Sequence, residues 1–154
     1  IKIGASGKII SAFDVMRAMA LGADWCNSAR GFMFALGCIQ AQTCHTGHCP
    51  TGVTTQDPVR QQALVVPDKA TRIFNFHHQT LHALKELVQA AGLQHPNEIS
   101  ANNIVRRVNE NEVRLLSKLM PGVPPGALLD STENLHDVYK LYWPRATADQ
   151  FALS

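Results

Sequence analysis

The 154 residues are 45% hydrophobic and 17% charged, which suits a packed core and excludes a disordered chain. The formal charge of +2 is spread over scattered basic residues, so nothing here is a footprint for nucleic acid. No apolar run reaches the roughly 18 residues of a membrane span, and no secretory leader pattern is visible. In chain order, Ile1-Lys2-Ile3-Gly4 reads as a short buried strand and Ala5-Ser6-Gly7-Lys8 as a small-residue turn. Ser11 is placed to cap a helix over Ala12–Leu21, with Phe13, Met16, Ala20 and Leu21 on its apolar face and Gly22 as its stop. Ala23–Asn27 reads as a second strand and Arg30–Ile39 as an apolar helix, so the opening is a strand–helix–strand–helix unit with parallel strands. Residues Gln40–Pro67, rich in Thr, Gly, Gln and Cys, lack periodicity, and a loop of that length needs something to hold it. Asp68–Ala91 is a long helix stopped by Gly92, with Ile73, Phe76, Leu81, Leu84, Leu87 and Val88 on its apolar side. His95-Pro96-Asn97 is a turn, and helical segments are predicted over Ser100–Val108 and Glu110–Leu119. Pro121–Pro125 breaks the chain, and the tail from Ser131 to Ser154 is expected to add a short helix with Leu135, Val138, Tyr139 and Tyr142.

Two parallel strands cannot bury both faces of a sheet, so the opening βαβα unit is expected to be the end of something larger. The expected class is α/β: the C-terminal portion of a (β/α)8 barrel, a fold that takes about 250 residues, followed by a cysteine-rich loop and a mostly helical extension.

The turns after the two strands are Ser6-Gly7-Lys8 and Ser28-Ala29-Arg30. Small residues let backbone N–H groups approach a phosphate, a helix N-terminus favours its charge, Arg30 adds a bidentate donor and Lys8 a point charge. The plainer reading is that Ser6, Gly7 and Ala29 merely make tight turns. The stretch Ile3–Arg30 resembles the last two βα units of FMN-binding barrels, in which the corresponding loops often read Gly-Gly and Gly-Arg. That resemblance implies a flavin-phosphate site built from Ser6, Gly7, Lys8, Ser28, Ala29 and Arg30.

Four cysteines, Cys26, Cys38, Cys44 and Cys49, fall within 24 residues, which suits a local metal or cluster site in a reducing compartment better than a disulfide framework. Cys38-x5-Cys44-x4-Cys49-Pro50 brings three soft thiolates together, as an iron–sulfur cluster requires. Zinc held by Cys44, His45, His48 and Cys49, or three buried free thiols, are the alternatives. Cys26, beside Trp25 on the second strand, reads as a core thiol; as a fourth ligand it would make the cluster [4Fe-4S]. His77, His78 and His82 on the long helix read as surface or packed side chains, since no third ligand completes a motif there.

The cysteine spacing, with Gly37-Cys38-Ile39-Gln40, Cys49-Pro50-Thr51-Gly52-Val53, Thr55-Gln56-Asp57-Pro58, His95-Pro96-Asn97-Glu98 and Val105-Arg106-Arg107, resembles the FMN-binding glutamate synthase family over most of the chain, fading after about Asp130. The resemblance implies the last two barrel units over 1–39, a loop holding a [3Fe-4S] cluster on Cys38, Cys44 and Cys49 over 40–67, and a helical extension over 68–154. It further implies a cytoplasmic oxidoreductase that reductively aminates 2-oxoglutarate, with glutamine or ammonia as nitrogen source and electrons passing through the cluster to FMN. Its expected partners are the N-terminal part of the barrel and an electron donor protein or domain; no catalytic side chain is legible. An FMN barrel acting on another substrate, and a stand-alone electron-transfer or metal-binding module, remain the rivals.

Overall fold

The computed structural model describes residues 1–150 and divides into two units, Ile1–Leu119 and Met120–Ser154. In the first unit, strand β1 (Gly4–Ser6) pairs in parallel with β2 (Trp25–Asn27), joined through helix α1 (Ala12–Ala20). The register sets Gly4 beside Trp25, Ala5 beside Cys26 and Ser6 beside Asn27, so both strands end at the same level. β1 lies further along the chain than the predicted strand: Ile3 is 58% exposed and only Lys2 and Ile3 anchor the entry, through Asp24. The α/β class is as expected, and the observed sheets are small.

Helix α1 begins on the capping box expected from Ser11. The Ser11 hydroxyl accepts from the Asp14 N–H at 3.2 Å, and the Asp14 carboxylate accepts from the Ser11 N–H at 3.0 Å. Its buried face is Ala12, Met16 and Ala20, while Phe13 and Leu21 point outward. The apolar period is the one expected from the sequence, with the buried face shifted so that Ala12 replaces Phe13. Helix α2 (Ala29–Leu36) follows β2, and α4 (Val66–Ala90) is the long helix, beginning two residues before the predicted Asp68 because Pro67 fits a first turn that needs no N–H.

α4 is the backbone of the unit. Leu84 and Val88 join Met16, Ala20, Ile99, Ile104 and Leu116 in one buried cluster. Nearer its start, Phe76 meets Phe32 of α2 edge to face, with ring centres 5.1 Å apart. Gly31 permits that approach: a Cβ there would lie 2.8 Å from the Phe76 ring and 2.9 Å from Ser28 Oγ. Leu81, predicted on the apolar side, is exposed.

The expectation of helix over Ser100–Val108 and Glu110–Leu119 is overturned. Ala101–Asn103 is a 3₁₀ turn, and β3 (Val105–Arg107) pairs antiparallel with β4 (Val113–Leu115) before a short helix α5 (Leu116–Leu119). The cause is the Asn109–Glu112 stretch. The Asn109 side chain accepts from the Asn111 N–H at 3.0 Å, and Val108 N–H donates to the Glu112 carbonyl at 2.9 Å. That side-chain turn, between Val-rich segments, favours a hairpin over a helix.

The second unit holds α6 (Ala127–Asp130) and α7 (Asp137–Tyr142), the latter being the short helix expected in the tail. His136 caps α7, and the Trp143 indole donates to the Leu128 carbonyl at 2.9 Å. The end of that predicted tail, 151–154, lies outside the described residues.

Candidate functional site

Because β1 and β2 finish level, the turns Ser6-Gly7-Lys8 and Ser28-Ala29-Arg30 leave the sheet side by side. The Ser28 hydroxyl donates to the Ile9 carbonyl at 2.7 Å and ties the second turn to the end of the first. Gly7 and Lys8 both have positive φ, 96° and 55°, so the first turn is tightly wound. Ser28 precedes α2 without capping it, which leaves the first N–H groups of that helix free of a side-chain partner from Ser28. All these residues except Ser28 are exposed or nearly so.

The Gln40–Pro67 segment is ordered by its own side chains. It contains a 3₁₀ turn (Cys44–Thr46) and a short helix α3 (Pro58–Gln61) capped by Asp57. The Thr46 hydroxyl donates to the Thr43 carbonyl at 2.7 Å, the Thr55 hydroxyl to the Gly47 carbonyl, and the Gln61 amide to the Thr55 carbonyl at 2.9 Å.

This loop brings Cys38, Cys44 and Cys49 to one small cavity of about 10 Å³, which Thr51 and Thr54 also line. Cys49 is buried, Cys38 half-buried and Cys44 exposed. The Thr51 hydroxyl lies 3.4 Å from Cys49 Sγ. That contact first, then the Thr54 backbone N–H, lowers the Cys49 thiol to about 6. Cys26 behaves oppositely. It is half-buried and faces the Val15 carbonyl at 3.9 Å, burial pushes its thiol up, and it does not line the cysteine cavity. Among the described residues no group of three or more His, Cys, Asp or Glu converges closely enough to hold a single metal ion.

Cys38 and Cys44 also border a larger cleft of about 370 Å³. Its walls are Ala29, Arg30, Met33 and Phe34 from α2, and Cys38, Gln40, Gln42 and Cys44 from the segment that follows. Arg30 is its only charged wall residue; Ser6, Gly7, Lys8 and Ser28 do not line it. The cleft therefore joins one of the two turns to two of the three cysteines.

Sequence reasoning missed Thr54, whose buried hydroxyl has no hydrogen-bond partner, and Gln40 and Gln42, which both hold φ of 57° where Gly or Asn would be the usual signal. Thr54 had a weak signal, standing five residues beyond Cys49 in a polar loop. On α4, His77 packs near Phe32, His78 stacks on Phe74 and His82 faces Glu86 at 3.7 Å, so these histidines are packed or surface groups.

A mixed α/β chain with level strand ends, two adjacent small-residue turns and a thiol-lined loop defines the class of the candidate site. Residues 1–94 match the model of the conserved region in glutamate synthase. The chain is 41% identical over 120 residues to the glutamate synthase large subunit-like protein YerD of Bacillus subtilis, covering 78% of this chain and 23% of that protein. It is 37% identical over 119 residues to the archaeal NADPH glutamate synthase of Methanocaldococcus jannaschii, with 75% and 23% covered. It is also 31% identical over 134 residues to ferredoxin-dependent glutamate synthase 2 of Synechocystis, with 86% and 8% covered. The chain belongs to the glutamate synthase family, and spans about a quarter or less of the length of these relatives.

Proposed function

We propose that this chain is the part of an FMN- and iron–sulfur-dependent oxidoreductase of glutamate synthase type that carries the flavin-phosphate turns and the cluster thiolates. One observation carries the reading: Arg30 shares a cleft with Cys38 and Cys44, and those two share a cavity with Cys49. That shared cleft supports a reading in which a flavin-phosphate turn and a thiolate site lie on one short piece of chain.

The residues suit both groups. Cys38, Cys44 and Cys49 offer three thiolates, and the orphaned Thr54 hydroxyl beside Cys49 asks for an acceptor that sulfur would supply. Ligands of one zinc ion must converge within about 2.3 Å of a single point, whereas a three-iron cluster takes one thiolate per iron and needs them further apart. Around the phosphate, Ser6, Gly7 and Lys8 would supply backbone N–H groups and a positive charge. Ser28 and Ala29 would present the start of α2, and Arg30 would pair with the dianion.

When bound, flavin and cluster supply the redox chemistry by which 2-oxoglutarate and ammonia, or glutamine nitrogen, become glutamate. The chain's own residues position these groups and neutralise the phosphate. The exposed β1–β2 sheet supports its being two units of a (β/α)8 barrel whose other strands and helices cover it, with an electron donor protein or domain reaching the cluster. On this reading 1–39 closes the barrel, 40–67 holds the cluster and 68–154 extends the same domain. No helix among the described residues is long and apolar enough to cross a membrane. Cluster thiolates suit the reducing cytoplasm.

The test uses the full-length protein purified anaerobically. Bound FMN, the iron of one [3Fe-4S] cluster per chain with its oxidised-state EPR signal, and glutamate formed from 2-oxoglutarate with glutamine or ammonia are expected. Stoichiometric zinc without iron would overturn the cluster. Flavin and cluster without glutamate formation would overturn the substrate.

A further inference from the structure

We propose that Thr51 and Thr54 are positioning residues that donate hydrogen bonds to the Cys49 sulfur and thereby hold the reduction potential of the cluster up. The inference rests on the cluster reading above and deepens it. Its first observation is the 3.4 Å contact between Thr51 Oγ1 and Cys49 Sγ. The second is independent: Thr54 Oγ1 is buried, lacks any partner, and lines the same cavity as Cys49.

The other threonine hydroxyls of the loop are committed elsewhere. Thr43 donates to the His48 carbonyl at 3.5 Å, Thr46 to the Thr43 carbonyl and Thr55 to the Gly47 carbonyl, where they shape the chain. Thr51 and Thr54 are the two whose hydroxyls are left to the sulfur. Cys49 is also the cysteine that most needs them. Cys44 is exposed, so water serves it, whereas Cys49 is only 8% exposed and depends on donors from the protein. Taking up an electron makes a cluster more negative. A donor fixed on a ligand sulfur in a low-dielectric pocket stabilises that reduced form more than the oxidised one. Removing the donor must therefore favour oxidation.

The experiment is an EPR-monitored redox titration of full-length, anaerobically prepared holoprotein. Thr51→Val and Thr54→Val remove the hydroxyl at nearly constant shape, and Thr51→Ser and Thr54→Ser keep it. Thr71→Val, whose hydroxyl back-bonds to Pro67 within α4, is the control. Each valine variant is expected to shift the reduced-to-oxidised ratio about threefold to tenfold toward oxidised, tenfold being about 59 mV for a one-electron couple. The serine variants and Thr71→Val should stay at the wild-type potential. An unmoved potential in both valine variants, with iron retained, overturns the inference. So does loss of the cluster in the valine variants but not the serine ones, since the hydroxyls would then be structural supports. Iron-free wild-type protein would instead overturn the cluster reading itself, and is seen before any titration begins.

Discussion

Gly47 and Gly52 close the turns that follow Cys44 and Cys49, and alanine at each should have unequal effects. Both hold φ of +74°, and each donates its N–H at 3.4 Å to the carbonyl of the cysteine before it. Around Gly47 nothing lies within 4 Å of an added Cβ, so Gly47→Ala meets only the left-handed backbone penalty, about 1–2 kcal/mol. At Gly52 the same Cβ would overlap the Arg60 carbonyl oxygen, with the Arg60 carbonyl carbon at 3.3 Å and Ala63 Cβ at 3.4 Å. A backbone oxygen in α3 cannot swing aside as a side-chain tip can, so α3 must move, adding about 1–3 kcal/mol of overpacking. A stiffer unfolded chain returns about 0.5 kcal/mol in both variants. Hydrogen exchange of the segment 44–64 in the full-length protein reads the result, since each 1.4 kcal/mol or so is about tenfold in opening. Gly47→Ala should ease opening about tenfold or less, and Gly52→Ala by up to about a thousandfold. Equal exchange in the two variants would refute the close approach of Arg60 and, with it, the account of how Cys49 is held in place.

The other predictions concern cofactors and the first helix. Serine at Cys38, Cys44 or Cys49 should abolish the cluster EPR signal and lower bound iron, while Cys26→Ser, away from the cavity, should leave both intact; equal iron loss in Cys26→Ser would make it a fourth ligand. Gly7→Trp should block backbone approach to the phosphate and Arg30→Glu should replace attraction by repulsion. Each should weaken FMN retention about tenfold or more, a lost charge-assisted bond being worth about 1.5–3 kcal/mol; unchanged flavin content in both would refute the phosphate site. Asp14→Ala should cost about 1 kcal/mol by removing half of a capping box. The Ser11 N–H, ahead of the Ser11 hydroxyl and Arg17, holds the Asp14 carboxyl below its usual 3.8. A lowered folded value means the contribution is whole above the unfolded value and fades as pH falls through the folded one. The stability gap between wild type and Asp14→Ala should therefore be constant near neutrality and close in acid, and a gap that widened in acid would contradict the assignment.

The opening of the fold was legible because its signals are local. Ser11 and Asp14 start a helix by their own hydrogen bonds, Gly22 and Gly92 stop one, and the apolar period of α4 was long enough to place Leu84 and Val88 in the core. The Ser100–Leu119 region was misread because apolar spacing there fits helix and hairpin alike; what decides is the Asn109 side chain turning back on Asn111. At the site, the cysteines were legible by type and spacing, and the structure brings the three to one cavity. The cleft linking Arg30 to Cys38 was not legible, since it depends on Gln40 and Gln42 taking left-handed backbone that glutamine does not signal. Nor was the Thr54 hydroxyl, because its significance is the absence of a partner, a property of three-dimensional surroundings alone.

The long loop carries hydrogen bonds of its own alongside whatever group it holds on the proposed reading. Hydrogen bonds from Thr46, Thr55 and Gln61, with the Asp57 cap on α3, help fix its path. Each is worth about 1 kcal/mol net, which offsets a part of the entropy of ordering the loop. Thiols that are already gathered spend less of their binding free energy on folding the chain. The same economy explains the uneven exposure of the three sulfurs. Cys44 on its 3₁₀ turn stays open to solvent, whereas Cys49 is sealed under Thr51, Thr54 and the tight turn at Gly52. The loop thus sets one sulfur in a dry environment chosen by its neighbours and leaves another open to solvent. On the proposed cluster reading, that asymmetry makes the two threonines beside Cys49 the place where this chain can adjust the cluster's potential.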